Sequence, residues 1–352
     1  DLQCHQPPEW CQGRPGTLCQ DERVSLFSSV ANFLKPAPPL SPAVESALTR
    51  VGELVSPLLK SVSGFEHKLS GSLEYALGYC DGLISGLPGP IDLNRQAFSN
   101  DPLVHALFAT ASDIDQMLGR SQAVRDYLAD PACWESTHFY ALFAARRQQK
   151  KQMGMSVQGD VVQTDVPQLV LYFSDQTLIQ PSCSLEKTLA LLRSTALDSL
   201  LSAFHDHVET LRAEREGLRA DLSVERAHLT ILRGKTAGQE YQVRTRHLNE
   251  LDSRLRQSAE SLMPDQLVDA LAEFLHAPEC SLALSPVKIT VDRLGVVSDA
   301  GNEDANVHTL DFPELNARDK RHYLVMLARI NRDEALEAVE TVRDQQHRFM
   351  LI

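Results

Sequence analysis

The most regular pattern of apolar positions lies in the middle of the chain. Leu197, Leu201, Phe204, Val208, Leu211, Arg215, Leu218, Leu222, Glu225, Leu229 and Leu232 follow one another in alternating steps of four and three. A repeat of 3.5 residues holds one seam along a helix, and that seam needs a second helix to cover it. Upstream, Leu185, Leu189, Leu192, Ala196 and Leu200 run with extra steps of four, a shift of seam where the helix meets its base. Tyr241, Leu248, Leu251, Leu255 and Leu262 supply a return seam, with Arg244 and Ser258 at seam positions. The intervening Gly-Lys-Thr-Ala-Gly (234–238) is short enough to force an antiparallel neighbour. Ser184 to Leu232 would be about 73 Å long at 1.5 Å per residue. The return arm to His276 is shorter, so the base of the outgoing helix must pack on something else. Arg215 and Glu225 stand where apolar residues are expected; either they fix register or their stems reach out to solvent.

Residues on both sides of this hairpin change period. Val157, Val161, Val162 and Leu169 to Phe173 are of strand type, with Ser174-Asp175-Gln176 as a turn and Thr177 to Ile179 as a return strand. Val287, Ile289 and Val291 alternate, and Val296 and Val297 follow a turn at Asp292 to Gly295. An antiparallel excursion brings its two roots side by side, so strands near 169–179 and 287–297 are expected in one sheet. Two C-terminal helices are predicted to start at Asn316 and Asn331, with Asp319 and Glu334 three residues on. Towards the N-terminus, Ser41-Pro42, Asp101-Pro102 and Asp130-Pro131 read as helix starts. Pro88-Gly89-Pro90 stops a helical run, and KPAPPLSP at 35–42 is a stiff linker.

These elements define a mainly α fold with a small β component, of class α+β. An irregular segment with a short helix occupies 1–41 and a helical bundle 42–150. A small mixed-sheet platform is made from 151–183 and 277–352. A long antiparallel coiled-coil hairpin, 184–276, is inserted between the strands.

Composition narrows the function more than the fold. The net charge is −13 over 352 residues, aromatics are 6%, and no segment is strongly basic. That argues against nucleic acid as the main partner. The predicted hairpin is neutral, with 12 acids and 12 bases in 184–262, while 263–352 carries −7. No run of about 18 apolar residues marks a transmembrane segment. The chain starts at Asp1, which reads as a trimmed or processed start. The seven cysteines (Cys4, Cys11, Cys19, Cys80, Cys133, Cys183, Cys280) are odd in number and scattered, and no Asn-x-Ser/Thr occurs. This favours a reducing cytoplasm.

Each catalytic pattern fails a structural requirement. Gly234-Lys235-Thr236 has the end of a P-loop, but Leu229 stands where its first glycine belongs. Gly78-Tyr79-Cys80-Asp81-Gly82 has the form of a nucleophile elbow, yet the residues before it are helical in spacing. Cys80 therefore reads as a core residue, with Asp81 and His105 its nearest candidate partners in sequence. Cys4, His5, Cys11 and Cys19 lack the Cys-x-x-Cys knuckle of a structural zinc site. His205 and His207 cannot share a helix face, and His228 and His247 read as a polar pair across the hairpin. Asp160 and Asp165 read as turn residues, and the acidic loop Asp299 to Asp304 lacks calcium-loop spacing. No cofactor or metal is expected. The sequence points to a non-catalytic interaction or scaffold protein that presents its coiled-coil arm to a protein partner. The alternative is an enzyme with a site between bundle and platform, drawing on Cys80, Asp160 or Asp165.

Overall fold

A computed structural model describes residues 40–158, 161–232, 238–292, 294–297, 307–317 and 322–350. Residues 42–352 form one compact unit, and the boundaries expected near 150, 183 and 276 fall inside it. In chain order the helices α1 (Pro42–Leu54) and α2 (Phe65–Ser85) precede a short strand β1 (Ile91–Asp92). Four short helices follow: α3 (Arg95–Asn100), α4 (Pro102–Leu107), α5 (Ala111–Arg120) and α6 (Gln122–Ala129). Then come β2 (His138–Gln158), β3 (Val161–Ser182), α7 (Leu185–Leu232), α8 (Gly238–Ser261) and α9 (Pro264–Leu275). The chain ends with β4 (Leu282–Asp292), β5 (Val307–Ala317), β6 (His322–Asn331) and α10 (Arg332–Met350).

One antiparallel sheet runs β3-β2-β6-β5-β4, with β1 added parallel to β6. The expectation that the two β regions share a sheet is met in a specific way. After β4 the chain turns at Asp292, whose carboxylate accepts the amides of Leu294 and Val296. It then returns so that Leu171 N donates to Gly295 O and Val297 N to Leu169 O, both at 2.8 Å. The two outermost strands, β3 and β4, are thus joined by the residues that follow β4, and part of each edge is covered. Phe139, Phe143, Leu171, Phe173, Leu310, Phe312, Leu324 and Met326 are buried within this arrangement.

The helical block was expected to reach residue 150, but β2 begins at His138. Ala, Leu, Arg, Gln and Lys in this stretch all favour helix. Tertiary pairing overrides them: β2 is hydrogen-bonded on both sides, and Phe139, Ala141, Phe143 and Ala145 alternate into the core. The helices also divide by packing partner. α1 and α2 pack with the base of α7, and α2 also with α9, whereas α5 and α6 pack with α10 and the sheet. The helix expected at Asn316 is instead the end of β5 and then β6, whose Leu324 to Ala328 are all buried. Asn331 does cap a helix: its side chain accepts the amides of Asp333 and Glu334.

Ser174-Asp175-Gln176 is a bulge within one strand, not a turn. Ala145 of β2 faces both Asp175 and Gln176, because Ala144 pairs with Thr177 and Arg146 with Ser174. Two similar shifts occur near Asp165 and Gln180, and all three of these residues have positive φ, 61°, 54° and 53°. An extra residue per bulge bends and twists a long strand and moves side-chain alternation by one.

Candidate docking face on the long helix

α7 is 48 residues long, and its two halves have different surroundings. The first half is held by the body of the protein. Arg50 of α1 donates to Asp198 at 2.9 Å, His205 Nδ1 lies 3.2 Å from the Val55 carbonyl, and Arg193 pairs with Asp81 at 2.9 Å. Phe204 packs on Phe274 of α9, ring centroids 5.4 Å apart. Leu192, Ala196, Leu197, Leu200, Leu201 and Phe204 are buried there. This is the packing that the unequal arm lengths required of the base.

The second half is covered on one side by α8. Leu222 and Leu251 are buried at the contact, and Leu211, Leu218, Leu229, Leu248 and Leu255 are half-buried. Glu225 is also buried, 8% exposed, and accepts from Arg244 Nη1 of α8 at 3.3 Å. Arg244 Nη1 also donates to His228 Nδ1 at 3.0 Å. Two of the polar seam residues thus form a charge pair across the helices, a device that fixes register. Arg215, a further polar seam residue, is half-buried beside Glu216.

The side of α7 turned away from α8 carries a second repeat. Thr210, Ala213, Gly217, Ala220, Val224, Ala227 and Ile231 also follow steps of three and four, displaced by two positions from the covered seam. Two positions are about 200° of helix rotation, so this is the opposite face. All seven are exposed and none is charged; Val224 is 54% and Ile231 63% exposed. A Cβ added at Gly217 would meet nothing within 4 Å. A glycine inside a helix costs about 1 kcal/mol relative to alanine. No contact among the described residues offsets that cost.

The residues singled out for chemistry do not converge. Cys80 is buried in α2, and burial together with Asp81 pushes its thiol up to about 11, away from a thiolate nucleophile. Asp81 is spent on Arg193. His105 lies against the Phe98 ring and its carbonyl, in a cavity of about 740 Å³ with Asp101, Tyr172, Asp292 and His308. Both carboxylates there accept backbone amides as caps and turns. The cleft expected between helices and sheet exists as a cavity of about 730 Å³ between α2 and β4–β5. Its lining is mostly apolar, Tyr79 donates to the Leu282 carbonyl, and Asp311 pairs with Lys288. Asp165 is an exposed bulge residue. His228 meets Arg244 instead of His247. Cys4, His5, Cys11, Cys19, Asp160, Gly234 to Thr236 and Asp299 to Asp304 lie outside the described residues. Among the described residues no group of three metal-type ligands occurs, and no helix is long and apolar enough to cross a membrane.

Sequence reasoning located the covered seam and missed the exposed one. Its signal was present as a second, displaced repeat of uncharged residues, hidden because alanine and glycine score weakly in any apolar pattern. The chain matches no known protein family, no curated protein and no solved structure.

Proposed function

We propose that this is an interaction protein whose α7–α8 pair is a coiled-coil arm, inserted between the strands of the sheet and presented to a protein partner. The observation that carries the reading is the uncharged, exposed face of α7 opposite α8. Outer positions of a two-helix pair facing water are ordinarily polar or charged. Seven consecutive uncharged outer positions fit a helix that packs a second time. The firm seating of the α7 base on α1, α2 and α9 supports an arm held in fixed orientation. Among the described residues Cys80, Cys133, Cys183 and Cys280 are free, which is compatible with a cytoplasmic setting.

The test shortens both helices by two heptads, removing 212–225 from α7 and 244–257 from α8, so that the register of each seam is kept. The remaining protein should keep its thermal transition, and a photo-crosslinker placed on Ile231 should lose the adduct it gives in the full-length arm. An insoluble or molten product would show that the distal helices are part of the core, against this reading.

A further inference from the structure

Two of the free cysteines flank one aromatic pair. Cys133 ends a short helical turn, Pro131–Cys133, and is buried in the core with Tyr127 and Phe139. Cys183 stands between β3 and α7, half-buried against the same core. Ser182 pairs with Tyr140, so Cys183 comes next at Phe139, whose ring centroid lies 4.7 Å from that of Tyr127. Cys183 also has a cation: Lys187 Nζ, in the first turn of α7, donates to its Sγ at 3.8 Å. That turn is fixed, because Ser184 Oγ accepts the Lys187 amide at 3.3 Å and Thr188 Oγ1 donates to the Tyr140 carbonyl at 3.0 Å. The Tyr127 hydroxyl is buried and has no hydrogen-bond partner among the described residues. Burial pushes it up to about 12, with Cys133 and then Cys183 adding to the push. Burial also raises the Cys133 thiol, which Tyr127 and Lys187 lower and Asp130 and Cys183 raise. The two sulfurs, the hydroxyl and the ammonium thus lie close enough to act on one another.

We propose that Cys183 and Cys133 are a peroxide-responsive thiol pair, in which Cys183 reacts first and Cys133 resolves it to a disulfide. A thiol that is accessible and beside a cation is the one an oxidant selects, and of the two only Cys183 is both. In the first step its sulfur attacks hydrogen peroxide. The S–O bond forms, the O–O bond breaks, and the thiol proton leaves with the departing hydroxide as water. The new sulfenic oxygen is an acceptor for the Tyr127 hydroxyl, which removes the cost of an unpaired buried donor. In the second step the Cys133 sulfur attacks the Cys183 sulfur. The S–S bond forms, the S–O bond breaks, and the Cys133 proton leaves with hydroxide as a second water. Each sulfur gives up one electron and the peroxide takes both. Cys133 ends a turn and Cys183 lies in a connection, so the sulfurs can close on each other without breaking a ladder of the sheet. The bond ties the root of α7 to the turn ahead of β2, and in a reducing compartment it is transient. Neither step depends on what the far end of α7 presents.

The experiment treats the full chain with a slight excess of hydrogen peroxide, digests it without reduction and maps it by mass spectrometry. The peptide holding Cys133 should appear joined to the peptide holding Cys183, and dithiothreitol should release them. In Cys133→Ser the sulfenic-acid reagent dimedone should label Cys183; in Cys183→Ser it should leave Cys133 unlabelled. Lys187→Met should slow oxidation of Cys183 by about tenfold and Lys187→Arg should restore it. The exposed Cys280 should react at one rate in all of these variants and serves as the internal reference. Oxidation should raise the Tm of the parent and not that of Cys183→Ser. Should Cys133→Ser, a change in the core, fail to fold, Cys183→Ser and the two Lys187 variants decide the matter from the surface. Cys183 reacting no faster than Cys280, a rate unchanged in Lys187→Met, or oxidised Cys183 with no bridge to Cys133 would each overturn the proposal.

Discussion

The outer faces of α7 and α8 can be compared position by position, because each lies two residues on from its own covered seam. On α8 the outer positions are Val243, Arg246, Glu250, Ser253, Gln257 and Glu260; on α7 they are Thr210, Ala213, Gly217, Ala220, Val224, Ala227 and Ile231. The two helices share a seam, a connection and a solvent, yet only α8 has the polar outside that a two-helix pair needs. The need to stay soluble bears on both outer faces alike, so it does not explain the difference.

The largest effect that sharpens this comparison comes from placing the same charge on the two faces of α7. Leu222→Asp buries an unpaired carboxylate and should cost about 3 kcal/mol or more. It should expose the distal helices to protease and lower helicity. Val224→Asp, two residues away on the outer face, should change stability by less than about 0.5 kcal/mol. Equal losses from the two would mean that both faces are covered, and the contrast would be broken. Next comes Glu225→Ala, which leaves Arg244 without its carboxylate partner across the helices and should cost about 1–2 kcal/mol, measured by urea unfolding. A variant as stable as the parent would mean that the pair contributes nothing to register.

Gly217→Ala tests the exposed face from the other direction. With no atom near the added methyl, the protein should gain about 0.5–1 kcal/mol, seen as a higher Tm. A loss instead would reveal a neighbour at the face within the free protein. The smallest effect lies outside both helices and serves as a calibrant. Arg329 donates two hydrogen bonds to Asp92, at 2.6 and 2.8 Å, tying β1 to β6, and they hold the carboxyl below its usual range. A depressed carboxyl stabilises the folded state above the unfolded carboxylate range, and that contribution is lost as pH falls through the folded value. The difference in stability between the parent and Asp92→Asn should therefore shrink on acidification below about pH 4. Because both side chains are partly exposed, it should be modest at neutral pH. A difference that widens in acid would contradict the assignment.

What was legible in the sequence was whatever repeats. The α7 seam, Asn331 as a cap and the turn at Asp292 to Gly295 each depend on local chemistry, and each is found where the residues place it. β2 and β6 were misread because their information is not local. Tyr323 to Ile330 is a short apolar run that suits a buried strand or a buried helix equally, and only pairing with β2 decides. The bulge at Asp175 and Gln176 shifts the inward phase from Leu171 and Phe173 to Leu178, so one strand had the pattern of two strands and a turn. The uncharged outer face of α7 escaped notice for a different reason. A face is recognised by what should be there, and the missing charges could be seen only once α8 was placed on the opposite side.

A helix unbroken from Leu185 to Leu232 is also a lever. At about 1.5 Å per residue, a tilt of about 5° about Asp198 moves its far end about 4 Å. The fulcrum adds polar ties, the Arg50–Asp198 and Arg193–Asp81 pairs and the His205 contact with the Val55 carbonyl, to the buried Leu197, Leu200, Leu201 and Phe204. A rearrangement of α1 or α2 that tilts this base would therefore be multiplied along α7, and Val224 and Ile231 would move farther than the core that moved them.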